Sequence, residues 1–163
     1  MTPKEISDAV FSPRPNLFRG ETPVVALDCE MVGVEGQGEA LSRVSIVNYN
    51  GHVLIDKFLR PDKRIVDFRS WVSGVHPWHL KEENGAISFA EAKDRAHKLL
   101  KNKIIVGHSL SHDFKVLDFE PIDDKEGGSK VRDFTRFAKY KNQFGQIRSL
   151  KNLTADLLGK KIQ

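Results

Sequence analysis

Asp28 and Glu30 stand two positions apart at the end of a short apolar run, Val24-Val25-Ala26-Leu27. On an extended strand, side chains two apart leave the same face, so the two carboxylates converge on one point. Ionised together they repel and require a cation, and oxygen-only donors select a hard ion such as Mg²⁺ or Mn²⁺. A third acid, Asp113, lies in Gly107-His108-Ser109-Leu110-Ser111-His112-Asp113-Phe114. That pattern puts it in the first turn of a helix behind a second buried strand. In an open α/β sheet, strand ends and the helix starts behind them share one crevice where ligands bind, so Asp113 is placed to join the pair. Each signal also has a plain structural reading, as acids ending a strand in solvent and as an acid complementing a helix macrodipole.

The elements that must position these groups are legible in outline. Val24–Leu27 reads as a strand buried on both faces. After a Gly-rich loop (Gly33, Gly36, Gly38), Arg43–Tyr49 and His52–Leu59 form two β-prone runs around Asn50-Gly51, which predicts a hairpin with a type I′ turn. Ser88 with Glu91 forms a capping box for a helix over about 89–101. Ile104-Ile105-Val106 is a strand closed by Gly107, and Leu110, Phe114 and Leu117 resume the helical period. Val131 marks a fifth short strand. Ser149 caps a last helix bearing Leu150, Leu153, Leu157 and Leu158, with Gly159 at its C-terminus. The order argues for a mixed five-stranded α/β sheet flanked by helices. Residues 1–22 read as an irregular arm and 23–163 as the folded domain.

The length of 163 residues suits one domain with its own core. No run approaches the roughly 20 apolar residues of a membrane span, and the N-terminus lacks the apolar segment of a secretory signal. A single cysteine, Cys29, excludes an intramolecular disulfide and suggests a reducing compartment. Residues 130–163 carry nine Lys or Arg against two acids, a net of +7, which leaves −3 for the preceding residues of a chain whose total is +4. A basic flank beside an acidic site suits a phosphodiester ligand, although a solvated helix face has the same composition.

Asp28-Cys29-Glu30-Met31-Val32-Gly33, Leu41-Ser42-Arg43-Val44-Ser45-Ile46-Val47-Asn48, Val72-Ser73-Gly74-Val75, Val106-Gly107-His108 with Asp113, and Val131-Arg132-Asp133 occur in that order. Together, over about residues 22–163, they resemble the DEDD 3′-to-5′ exonucleases with a ribonuclease H-like fold, and within them the RNA exonuclease 4 group. The resemblance implies two-metal hydrolysis, with a pair of Mg²⁺ or Mn²⁺ ions about 3.5–4 Å apart flanking the scissile phosphate. It implies RNA with a free 3′ end as substrate, nucleoside 5′-monophosphates as products, and a nuclear, nucleolar role in ribosomal RNA processing. Asp28, Glu30 and Asp113 match three of the family's four metal-holding acids, with Asp28 bridging both ions. Met31 and Trp71 match positions near the terminal nucleotide, and Asp133 matches a structural position. The family's fourth acid, five residues after a histidine general base, belongs to a final helix, and nothing after Asp113 supplies His-x-x-x-x-Asp. The expectation is a C-terminally truncated domain without that helix and with little nuclease activity.

Other residues leave alternatives open. Arg43 either orients the site or pairs with an acid. His108 and His112 fit a substrate-side or hydrogen-bonding role better than a zinc pair, because one ends a strand and the other begins a helix. His76-Pro77-Trp78-His79 suits either base stacking or loop packing. Cys29, pointing away from its acidic neighbours, reads as a small core residue. A DNA exonuclease and a catalytically inactive nucleic-acid-binding module remain the competing functions.

Overall fold

The structure is a computed structural model that describes residues 14, 16–36, 38–122 and 128–162. Most of the arm expected over 1–22 therefore lies outside the described residues. Residues 14 and 16–22 run along the 48–52 turn, where the Asn48 side-chain amide donates to the Phe18 and Gly20 carbonyls at 3.0 and 2.9 Å.

The central strand β1 (Val24–Val34) sends Val25, Leu27 and Cys29 into the main core and Ala26, Asp28 and Glu30 to the other face. It pairs antiparallel with β2 (Gly38–Asn48), which pairs antiparallel with β3 (Val53–Arg60). The Gly-rich segment is thus mostly strand, since Gly33 and Gly38 lie inside β1 and β2. Two short strands beyond the five expected, β4 (Ile65–Asp67) and β5 (Ile87–Ser88), pair with β1 and β3. Strands β6 (Ile104–Gly107) and β7 (Lys130–Asp133) continue the sheet in parallel, giving the order β5-β3-β2-β1-β6-β7 with β4 against β1.

Among the described residues four α-helices accompany the sheet: α1 (Ser70–Ser73), α2 (Phe89–Leu100), α3 (Leu110–Leu117) and α4 (Leu150–Leu158). Ala92, Ala96 and Leu100 of α2 and Leu110 and Leu117 of α3 close the core on Val25, Leu27, Val44, Ile46 and Leu59. Ser88 caps α2 by accepting from the Glu91 amide at 3.2 Å, while the Glu91 carboxylate turns instead to Arg95. On the opposite face, Val32, Val34, Val75 and Leu80 form a smaller cluster that fastens residues 68–80 beside the strand end.

The Asn50-Gly51 turn is not type I′, which needs a positive φ at both residues. Only Gly51 has one, at 83°. The Asn48 side chain accepts from the Asn50 and His52 amides at 2.9 Å each, so it organises the turn in place of a left-handed Asn50.

Gly107 permits the tight passage from β6 to α3. A Cβ there would lie 2.5 Å from Leu110 Cδ2 and 3.0 Å from the Leu27 carbonyl oxygen. Gly107→Ala is expected to cost about 1–3 kcal/mol by overpacking, read as a lower urea midpoint at unchanged m value.

Candidate active site

Asp28 and Glu30 share one face of β1, opposite Ser45 and Arg43 of β2. Just beyond Glu30 the register jumps from Glu30–Arg43 to Met31–Leu41, which leaves Ser42 as the extra residue. Buried Ser42 uses its hydroxyl to donate to the Glu30 carbonyl at 2.8 Å and holds the irregularity closed.

Asp113 reaches this strand end from α3. The β1–β6 ladder stops at Ala26–Val106, and past that point the buried Asp113 carboxylate lies against the Cys29 thiol and backbone amide, which donate to it. Burial pushes Asp113 up to about 7, aided by the charge of Asp28. Glu30 is likewise pushed up to about 7, by burial first and then by Asp28 and, more weakly, Asp113. Burial raises Asp28 too, against the positive fields of Arg43 and His108. Residues 85 positions apart in sequence thus form one electrostatic group. The Cys29 thiol is held well above its usual range by its burial and by Asp113, so it stays protonated and serves as a core donor, not a nucleophile.

The helix that carries Asp113 is fixed by Asp133. Its carboxylate accepts from the Ser109 and Leu110 amides at 3.0 and 2.8 Å and from the Thr135 amide and hydroxyl at 2.9 and 2.7 Å. Burial alone would raise Asp133, but these donors hold it below the ordinary carboxylate range. Ser109, at φ 60°, offers no side-chain cap of its own. Asp133 therefore supplies the N-terminal cap from a different strand.

The remaining sequence candidates surround this group. Arg43 makes a two-pronged ion pair with Asp56 at 2.7 and 2.8 Å, and its charge also acts on Asp28 and Glu30. His108 is tied through Nε2 to the Arg148 carbonyl at 2.8 Å, anchoring the segment before α4 to the end of β6. His112 points elsewhere, into a cleft of about 560 Å³ with Lys63 and Lys115. Met31 is half-buried and, with Asp28, Glu30 and Ser73, lines a cleft of about 230 Å³. Arg69 and Glu39, an ion pair, border both clefts. Trp71 stands at the rim on α1 with 89% of its surface exposed.

The donor set suits a hard divalent cation. Three neighbouring carboxylates supply only oxygen ligands, the charge of Asp28 raises the proton affinity of Glu30 and Asp113, and the nearby arginine is already committed to Asp56. Among the described residues no three His, Cys, Asp or Glu side chains are drawn together tightly enough to enclose an ion.

The Exonuclease family model (RNase_T) matches residues 25–163. The chain belongs to the exonuclease family. This exonuclease chain is 42% identical over 156 residues to RNA exonuclease 4 of Debaryomyces hansenii, covering 93% of the chain and 54% of that protein. It is 41% identical to RNA exonuclease 4 of Saccharomyces cerevisiae, covering 85% of the chain and 47% of the relative. To the apoptosis-enhancing nuclease of Rattus norvegicus it is 41% identical, covering 93% and 45%. The exonuclease chain spans about half the length of these curated relatives. Its fold matches the Neurospora crassa Pan2 catalytic unit, a protease and nuclease domain, with a TM-score of 0.70 at 26% identity, over 91% of the chain and 25% of Pan2. The sheet and its flanking helices are those of the ribonuclease H-like exonucleases.

Asp133 and Asp56 are the functional residues that spacing alone missed. Both act by holding a charged or helical group from another element, and the only sequence sign was the Val131-Arg132-Asp133 motif.

Proposed function

We propose that the chain is the catalytic domain of a metal-dependent 3′-to-5′ exoribonuclease that releases nucleoside 5′-monophosphates from RNA with a free 3′ end. The observation that carries this reading is the electrostatic convergence of Asp28, Glu30 and Asp113 at one strand end. The RNA exonuclease 4 relatives support RNA as the polymer, and a Saccharomyces cerevisiae Pan2 module of matching fold is in complex with AAGGAA RNA. A role in ribosomal RNA processing, in the nucleus and its nucleolus, is proposed from the family resemblance.

Asp28, Glu30 and Asp113 would hold Mg²⁺ or Mn²⁺. The bound ion supplies Lewis acidity at the phosphate and lowers the pKa of water. Arg43, braced by Asp56, keeps positive charge at the strand end, and Met31 and Trp71 face the terminal nucleotide. His108 acts at one remove by securing the Arg148 segment.

Residues 114–163 contain no His-x-x-x-x-Asp, the pattern that by family resemblance supplies a general base, a group that contributes about 10²- to 10⁴-fold. The chain is therefore expected to trim RNA weakly or not at all. That deficit also favours the second reading, a nucleic-acid-binding module on the same scaffold. End-labelled single-stranded RNA and DNA, with free or 3′-phosphorylated ends, decide between the readings in the presence of Mg²⁺ or Mn²⁺. Slow, metal-dependent shortening of free-ended RNA fits the proposal. Rapid trimming refutes the missing base, equal cutting of DNA replaces the RNA assignment, and RNA binding without metal affinity supports the binding module.

A further inference from the structure

We propose that His76, Trp78 and His79, with Phe58, form a stacking platform for bases of single-stranded RNA lying upstream of the 3′ end held at the carboxylates; this rests on the exonuclease reading. Cross-strand register sets Glu30, Arg43 and Phe58 side by side on one face of β1, β2 and β3. At the usual strand spacing Phe58 is roughly 10 Å from Glu30. The Arg43 guanidinium lies 5.2 Å from the centre of the Phe58 ring, and His79 stacks on that ring at 4.3 Å with an 18° tilt. Beyond it, His76 and Trp78 stack at 4.3 Å with planes 4° apart, and each meets His79 edge-on at 5.6 Å. A row of π faces thus leads outward from the acidic site.

The platform is built in advance. The His76 amide donates to His79 Nδ1 at 3.2 Å, and the Asn84 side chain donates to the Trp78 carbonyl at 2.7 Å. Val75 and Leu80, on either side, are buried in the smaller core. Yet Trp78 keeps 54% of its surface exposed, so the ring is held in place while much of it stays open to solvent. A tryptophan serving only to pack a loop would be covered by it. An ordered aromatic cluster beside a cation, with half-buried Phe58, His76 and His79 backing an exposed Trp78, suits single-stranded nucleic acid, because every base offers a π face.

Fluorescence anisotropy of 5′-labelled oligouridines of 12 and 3 nucleotides, with the 163-residue chain in Mg²⁺, tests the proposal. Trp78→Ala is expected to weaken the 12-mer about tenfold, within the range for loss of one stacked base. It should leave the 3-mer unchanged and keep the salt dependence, since no phosphate contact is lost. Trp78→Phe should retain most of the affinity. Unchanged 12-mer affinity in Trp78→Ala, with a lower melting temperature, would mean that the indole only packs the loop. In that case metal-dependent binding of the 3-mer leaves the exonuclease reading standing, whereas failure of the unsubstituted chain to bind either RNA overturns both.

Discussion

Asp28→Asn is expected to abolish measurable binding of Mn²⁺ or Mg²⁺ and, with it, any metal-dependent cleavage of RNA. Asp28 is the acid that couples to both others: its charge raises Glu30 and raises Asp113. Removing it deletes a ligand and the charge that makes the site cation-seeking. The same coupling fixes a pH dependence. Glu30 and Asp113 titrate near 7 in the folded chain but near 4.5 and 3.8 when unperturbed. Between those values the folded state holds protons that the unfolded chain releases, so the contribution of these two groups to metal-free stability is fully present below about pH 4 and is lost as pH rises through about 7. The loss is several kcal/mol, mostly from buried Asp113 and less from half-buried Glu30, where solvent screens the charge. Added Mg²⁺ should restore it by binding the folded state alone. Asp28→Asn should make the metal-free pH curve shallower, the part due to burial remaining, and erase the response to Mg²⁺, both readable by urea denaturation from pH 5 to 8.

The second large effect is at Asp133. Asp133→Ala removes one carboxylate that serves two α3 amides and two Thr135 donors, leaving the helix start uncapped and its amides without an acceptor. Loss of a cap and of charge-assisted hydrogen bonds together should cost about 2–4 kcal/mol. In a domain of this size each kcal/mol lowers Tm by about 2–4 °C. Because α3 presents Asp113 to β1, metal affinity should fall along with stability although Asp133 is not a ligand. Asp133→Asn keeps an acceptor oxygen and should recover part of both. A variant that loses stability while binding Mn²⁺ normally would separate Asp133 from the site.

Features set by local chemistry were legible before the fold. Asp28 and Glu30 alternate with buried Leu27 and Cys29 as a strand period requires, Ser88 and Ser149 cap their helices, and Gly159 ends α4 at φ 65°. What depended on distant partners was not. Strands β4 and β5 are three and two residues long and exist only because β1 and β3 are there to pair with. Arg69 begins α1 at φ 48°, a conformation no propensity suggests for arginine. The Asn50-Gly51 pair promised a type I′ turn, but the Asn48 side chain took over the hydrogen bonds that would have demanded it. At the site, type and spacing singled out the three acids with structural readings still open, and the family resemblance joined them into one metal-holding set. The thiol against Asp113, the Ser42 bulge and the bracing of Arg43 by Asp56 follow only once strands are in register.

Everything turns on whether Asp113 joins Asp28 and Glu30 around one cation. Calorimetric titration of Mn²⁺ into the 163-residue chain and its Asp113→Asn variant, in buffers of different ionisation enthalpy near pH 7, tests this most directly. The unsubstituted chain should bind and release protons from Glu30 and Asp113, while the variant binds at least about tenfold more weakly and releases fewer. Equal affinity and equal proton release in the two proteins would contradict the shared site.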